Sequence, residues 1–297
     1  MEGLTRAAAL ALGVLVALAA EAAGDVSWYT QIDNDVAVHT DRWYTSGLRI
    51  ARTNRLAENE YAEFGVLQEI YTPDVHRLDP TDRPYAGRLL VTAARHDFMP
   101  GLYRTVEFDL GVRGPAALGR QSTEFVHRFI PAAGFDWSRQ LPNRVDAQAI
   151  AVQTHEFALP AAEHARWALH YGAVLGNTVT FAHAGVEVRT GGPQAIAGPA
   201  LRFAATPPLA AAGAQGWSAF AGVSGRWVAH NSLLSRNAIE FGPPIERIGG
   251  VARGAAGVAW SAPWGAVTFT AVADSPEFET QHTPHGFGIL GLRVDFP

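Results

Sequence analysis

Over most of its length this chain alternates. Between Arg104 and Arg113, Val106, Phe108, Leu110 and Val112 fall on one side of an extended backbone, and Thr105, Glu107, Asp109 and Gly111 on the other. Side chains repeat every two residues along a strand and every 3.6 along a helix, so this pattern specifies a β-strand with an apolar face opposite a face carrying two acids. The last segment repeats it, with Leu290, Leu292, Val294 and Phe296 alternating with Ile289, Gly291, Arg293 and Asp295. Comparable stretches bounded by Gly, Pro, Asn or Asp occur at 26–35, 43–54, 61–71, 87–97, 103–113, 144–158, 166–176, 178–190, 216–229, 247–261, 264–274 and 286–296. There are twelve, each of ten residues or more, longer than ordinary globular strands.

An even number of long strands with an apolar and a polar face suits an all-β, antiparallel transmembrane barrel, in which about 9 to 11 tilted residues cross the bilayer around a polar lumen. A soluble β-sandwich gives similar alternation, and the pattern alone leaves it open. The N-terminus narrows the choice. One arginine in Met1 to Arg6, the apolar run Ala7 to Ala20 and the small residues around Glu21 read as a secretory signal peptide at 1–23, with one barrel domain at 24–297. No later apolar run is long enough for a transmembrane helix. The absence of cysteine removes lipid anchoring, disulfides, thiol catalysis and thiolate metal sites. Trp28, Trp43, Tyr44, Tyr103, Trp167, Tyr171, Trp217, Trp227, Trp260 and Trp264 fall near strand ends, as the aromatic girdles of a barrel do. A net charge of -5 without a basic block argues against nucleic acid. All 23 basic residues are arginine, which suits bidentate phosphate binding; codon usage in a GC-rich genome accounts for most of them equally well.

Two connections, 72–86 and 114–143, are too long for plain turns, and long connections carry function. Ser122 to Ile130 reads as a short helix between Pro115 and Pro131, with His127 beside a face formed by Phe125 and Phe129. A third loose stretch, Gly191 to Gln215, is rich in Ala, Gly and Pro. Asp33-Asn34-Asp35 closes the first strand with three oxygen-bearing side chains, the ligand type that calcium prefers, although such strand ends are also common solvated turns. His127 could act as a general base, since imidazole titrates near neutrality, or could simply be exposed. No Gly-x-Ser-x-Gly elbow is present, so a hydrolase here would activate water directly or use an unsignalled serine.

Several motifs resemble the lipid A 3'-O-deacylase family (LpxR-type) of Gram-negative outer membranes. They are Asn34-Asp35, Asp41-Arg42-Trp43-Tyr44-Thr45-Ser46-Gly47, Gln68-Glu69-Ile70-Tyr71-Thr72-Pro73, Asp82-Arg83-Pro84-Tyr85-Ala86-Gly87, and Gly111-Val112-Arg113-Gly114-Pro115 followed by His127. Gly134-Phe135-Asp136-Trp137 with Gln140-Leu141, Leu175-Gly176-Asn177 and Glu277-Phe278-Glu279-Thr280-Gln281 carry the likeness to the C-terminal part of the chain. The resemblance implies a twelve-stranded barrel with its site between the wall and a short helix in a long extracellular loop. It implies a calcium-dependent hydrolase, acting as a monomer, that removes the 3'-linked acyloxyacyl chain from lipid A of lipopolysaccharide.

By the same resemblance His127 is the catalytic base, while Asn34, Asp35 and Thr45 surround the oxyanion, with Asn34 and Asp35 as calcium ligands. Arg83 would bind a lipid A phosphate, or form a loop salt bridge, and Thr123 would contact substrate. Two departures stand out: Thr123 occupies the position where the family often carries Gln, and Ala132 and Ala133 occupy the stretch where some members have an acid, for which Asp136 is the available replacement. They keep open a non-catalytic barrel of the same fold, a binding or structural protein. An outer-membrane phospholipase using Ser46 or Ser122 as nucleophile is the other alternative.

Overall fold

The computed structural model describes residues 26–35, 42–75, 79, 81–128, 135–159, 164–191, 215–234 and 245–296; the signal peptide expected at 1–23 lies outside them. Twelve strands form the fold: β1 (Val26–Asn34), β2 (Trp43–Ala57), β3 (Glu60–Thr72), β4 (Ala86–Met99), β5 (Leu102–Arg113), β6 (Arg144–Ala158), β7 (Ala165–Gly176), β8 (Val179–Gly191), β9 (Gly216–Asn231), β10 (Gly250–Ala262), β11 (Gly265–Asp274) and β12 (His285–Phe296). Each pairs antiparallel with its sequence neighbours, and β1 pairs with β12 from Val26↔Phe296 to Asn34↔Gly288, so the sheet closes into a barrel. Closure satisfies the backbone N–H and C=O groups that lipid cannot, and removes both sheet edges. Among the described residues no helix is long and apolar enough to cross a membrane.

All twelve expected strands are present, with ends within three residues of the sequence reading. The start of β10 is one of the differences. Arg247 forms only an isolated bridge to Phe278, and its guanidinium is bonded to the Val228 carbonyl, so the ladder begins at Gly250. The loop helix, α1, spans Gly119–Val126 and starts three residues before the expected Ser122. A 3-10 turn over Pro115–Ala117 leads into Leu118, whose left-handed φ of 60° turns the chain into the helix. The expected end at Ile130 lies outside the described residues.

Alternation divides the side chains as the sequence pattern requires. Phe108, Leu110, Leu175, Val223, Leu290 and Leu292 are exposed on the outer face. Inside, Arg49 is wholly buried between Glu63 at 2.5 Å and Glu107 at 2.9 Å, and Arg88 joins Glu69 at 2.6 Å and Asp146 at 2.7 Å. Arg189 lies against Glu187 and Glu156, and Arg253 against Asp274. Of the aromatic residues proposed for the girdles, Trp28, Trp167, Tyr171, Trp217, Trp227, Trp260 and Trp264 are exposed, whereas Trp43 and Tyr103 are buried and Tyr44 turns inward to Asp33. Tyr103 faces the lumen and bonds His96 and Thr105, and Trp43 packs on Phe278 and Leu234 above the barrel mouth.

Breaking a buried ion pair from one side strands the remaining charge. Arg49→Ala is therefore expected to destabilise the barrel by about 3–5 kcal/mol, because Glu63 and Glu107 lose their shared cation. Urea unfolding of the refolded barrel measures this, and an unchanged midpoint would contradict the role given to Arg49.

Candidate functional site

Strand alternation decides which side of the wall each residue serves. On β1, Trp28 and Ile32 are exposed while Tyr29, Gln31 and Asp33 are buried, so Asn34 ends the strand on the outward series. The ladder carries that position across the wall, with Asn34 opposite Ser46 on β2, Ser46 opposite Ile70 on β3, and Ile70 opposite Gly87 on β4. This outward row lies at the end of the barrel that bears the long connections. A β-bulge between Tyr44 and Ser46 lets Tyr44 stay inside, donating to Asp33 at 2.6 Å. Thr45, the extra residue, meets Thr72, their hydroxyls 2.6 Å apart.

Asp35 follows Asn34 at the corner and is fully buried. Its carboxylate accepts the Arg42 backbone N–H at 2.6 Å, and its own N–H donates to the Thr45 carbonyl at 3.3 Å. Asn34, Asp35 and Thr45 are thus brought together at one corner of two adjacent strands. With Thr72 they offer an amide oxygen, a carboxylate and two hydroxyls, a wholly hard oxygen set of the kind calcium accepts. Only one of these donors is charged, and among the described residues no group of three or more His, Asp or Glu gathers as a metal site. A cation held here would draw on Asp35, neutral oxygens and water.

The long connection after β5 folds back over the outside of this row. A Cβ on Gly87 would stand 3.2 Å from the Ala117 Cβ and 3.3 Å from the Gly119 nitrogen, so the start of α1 rests on the bare backbone of β4. Gly119 is itself closed over by Trp137, whose ring would lie 3.0 Å from an added Cβ. Trp137, Ile70 and Tyr85 form a buried cluster against which Phe135 packs, and the Tyr85 hydroxyl accepts the Asp136 N–H at 3.2 Å. The chain is then bound just ahead of β4 through Leu141 N–H, which donates to the Tyr85 carbonyl at 2.8 Å.

His127 caps the C-terminal end of α1, its N–H bonded to the Thr123 carbonyl at 3.0 Å. Its ring stacks on Phe135, centroids 4.9 Å apart, and Phe135 packs on the Ile70 cluster, so one aromatic ring separates the imidazole from the outward row. Gly119, Thr123 and Val126, spaced i, i+4 and i+7, share the wall-facing side of the helix. The first two are buried, but Val126 is 44% exposed. The helix therefore touches the wall at its start, and its last wall-side residue, next to His127, is exposed.

Other predicted residues are placed differently. Thr123 donates its hydroxyl to the Gly119 carbonyl at 2.8 Å, within its own helix. Asp136 accepts from Ser138 and caps the 3-10 turn over Trp137–Arg139; those hydrogen bonds hold its carboxyl below the usual range. Ser122 donates to Gln68 at 2.9 Å. Arg83 is not in the outward row at all. It lines the lumenal cavity, 4.5 Å over the Tyr71 ring and 3.2 Å from Glu277, which also receives Arg226. The loop salt bridge is the role that this geometry shows. Ile70, Thr72, Gly87 and Trp137 complete the site; they stand in the family motifs, which assign them no role, and for the first three the outward parity on β3 and β4 is the signal that would have placed them.

The family model described as outer membrane protein LpxR matches residues 6–296. The chain belongs to the LpxR family. Among solved structures, LpxR from Salmonella typhimurium superposes with a TM-score of 0.75 at 20% identity, covering 90% of this chain and 99% of that one. The β domain of the Bordetella autotransporter BrkA gives a TM-score of 0.50 at 13% identity, over 93% and 100% of the two chains. Among curated proteins, the sequence matches none. At these identities the superpositions establish the barrel fold, and membership of the LpxR family makes it an outer-membrane barrel.

Burial would raise the Glu277 carboxyl, but Arg226, Arg83, His285 and Arg253 outweigh it and hold the group below its ordinary value. A depressed carboxylate stabilises the fold above its unfolded pKa, and that contribution is lost as pH falls through the folded value. Between about pH 5 and pH 3, the unfolding temperature of the native barrel should therefore fall more steeply than that of Glu277→Gln. Parallel curves would show that Glu277 does not hold the barrel mouth through its charge.

Proposed function

We propose that this barrel is a calcium-dependent carboxylic ester hydrolase that removes the 3'-linked acyloxyacyl chain from lipid A in the outer leaflet of the outer membrane, acting as a monomer. The observation that carries the reading is the side of the wall. Asn34, Thr45 and Ser46 lie at the outward face, α1 rests on that same face at β3 and β4, and His127 ends the helix beside the exposed Val126. Chemistry so placed addresses a molecule lying in the leaflet rather than one passing through the lumen.

In this mechanism the His127 imidazole takes a proton from water, and the water oxygen adds to the acyl carbon of the ester. The bond between the acyl carbon and the 3' oxygen then breaks, and the proton held by His127 passes to that departing oxygen, leaving a free hydroxyl on the sugar and the released acid. Asn34 and Thr45 flank the position where charge develops on the carbonyl oxygen, and Asp35 holds their corner in shape through Arg42. Calcium, when bound by Asn34 and Asp35, supplies electrophilic stabilisation of that charge. Phe135 stacks on the imidazole and limits its rotation. Recognition of the lipid A phosphates falls to groups other than Arg83, whose guanidinium is engaged by Glu277 and Tyr71.

Mass spectrometry of lipid A from a host expressing the protein tests the reading. Loss of one acyloxyacyl mass is expected, reduced about 10²-fold or more in rate by His127→Ala and similarly by excess EDTA. Unchanged lipid A from a correctly inserted barrel favours a binding or structural barrel, the reading that the internally bonded Thr123 hydroxyl supports. Fatty acid released from phospholipid instead would identify a phospholipase, and its loss in Ser46→Ala would name the nucleophile.

A further inference from the structure

On the outward side of β3, Val66 and Ile70 are apolar, and Gln68 stands between them. A carboxamide on the face of a barrel that meets lipid is costly unless both its ends are bonded. Both ends are. Its Nε2 donates to the Ala117 carbonyl at 2.8 Å, and its Oε1 accepts the Ser122 hydroxyl at 2.9 Å. Ala117 ends the 3-10 turn, and Ser122 lies in the first turn of α1; between them stands Leu118, with its left-handed φ of 60°. A single side chain from the wall thus grips the loop on both sides of the residue that aims the helix.

The neighbouring contacts leave the helix that hinge. Gly87 and Gly119 meet backbone to backbone, which fixes how closely the start of α1 approaches β4 but provides no directional bond. An eight-residue helix is too short to hold its own direction in isolation. His127 follows five residues after Ser122, roughly 7.5 Å further along the helix, so a small change of tilt at Leu118 is carried to the imidazole.

We infer that Gln68 is a positioning residue for α1, which sets the tilt of the helix on the barrel wall and through it the place of His127. The inference rests on the proposed hydrolase for its kinetic consequence only; the positional consequence is independent of any activity.

The test uses both consequences in the full-length barrel. The chain has no cysteine, so spin labels at Arg120→Cys on α1 and Asn59→Cys in the turn between β2 and β3 report one distance without background. In the otherwise native barrel this distance should be narrowly distributed. Gln68→Met, which keeps the length of the side chain but neither hydrogen bond, should shift or broaden it, and Ser122→Ala should do so to a smaller extent. With lipid A as substrate, Gln68→Met should lower kcat by about 10 to 10²-fold with KM nearly unchanged, as expected of a displaced base. An unchanged distance in an inserted Gln68→Met barrel would overturn the inference, as would an unchanged kcat. If that variant fails to insert, Ser122→Ala decides by the same distance. A native barrel without activity whose distance still responds to Gln68→Met would sink the hydrolase reading and leave the positioning role standing.

Discussion

The pairing of β1 with β12 is the contact on which the rest depends. Without it Val26–Asn34 and His285–Phe296 would be edge strands, each with a row of unpaired backbone groups that lipid cannot hydrate. With it the sheet has only an inside and an outside, and the two-residue repeat assigns every strand residue to one of them. Arg49, Arg88, Arg189 and Arg253 point inward and find carboxylates; the leucines and valines opposite them meet lipid. The same parity separates Asn34 from Asp33. Adjacent in sequence, one belongs to the outward row and the other to the lumenal network with Tyr44 and Gln31.

A polar row on the outside of such a wall needs cover, and the connection after β5 supplies it. Two glycines allow backbone contact at Gly87, the Tyr85–Trp137–Ile70 cluster buries apolar surface, and Gln68 adds direction. The loop is held where it crosses β4 and β3, and Val126 at the far end of its helix is exposed. The anchoring residues all sit at the start of the helix or in the chain that follows it.

Most of the barrel was legible because alternation is a local property: a strand such as Arg104–Arg113 declares its two faces in its own residues. The start of α1 was not, because it depends on Leu118 adopting a left-handed conformation and on Gly119 meeting a strand thirty-two residues earlier. The corner of Asn34, Asp35 and Thr45 came from family motifs, and the register explains how residues on two strands meet. Arg83 shows the limit of such motifs. It lies in a loop, where no alternation says which side of the wall a side chain serves, and only the positions of Tyr71 and Glu277 place it in the lumen. Trp43 and Tyr103 failed as girdle residues for a related reason: nearness to a strand end does not fix the face. Gln68 stands in a family motif that says nothing of its role; what the sequence shows is a polar interruption of an apolar outward series between Val66 and Ile70.

The lumen is lined by its own ion pairs, and Arg83 and Arg226 meet Glu277 at its cavity, while Trp43 packs on Phe278. A lipid with several acyl chains could enter it only by separating buried charges, each costing several kcal/mol to strand. The outer wall imposes no such cost, since acyl chains already lie against the exposed leucines and valines there. Only the ester and its sugar then need polar groups, and these stand at the end of the strands where the apolar surface gives way to Asn34, Ser46 and the loop helix. For the proposed hydrolysis, a site on the outside of the barrel would let the chains of the substrate stay in lipid while the ester is brought to water and imidazole.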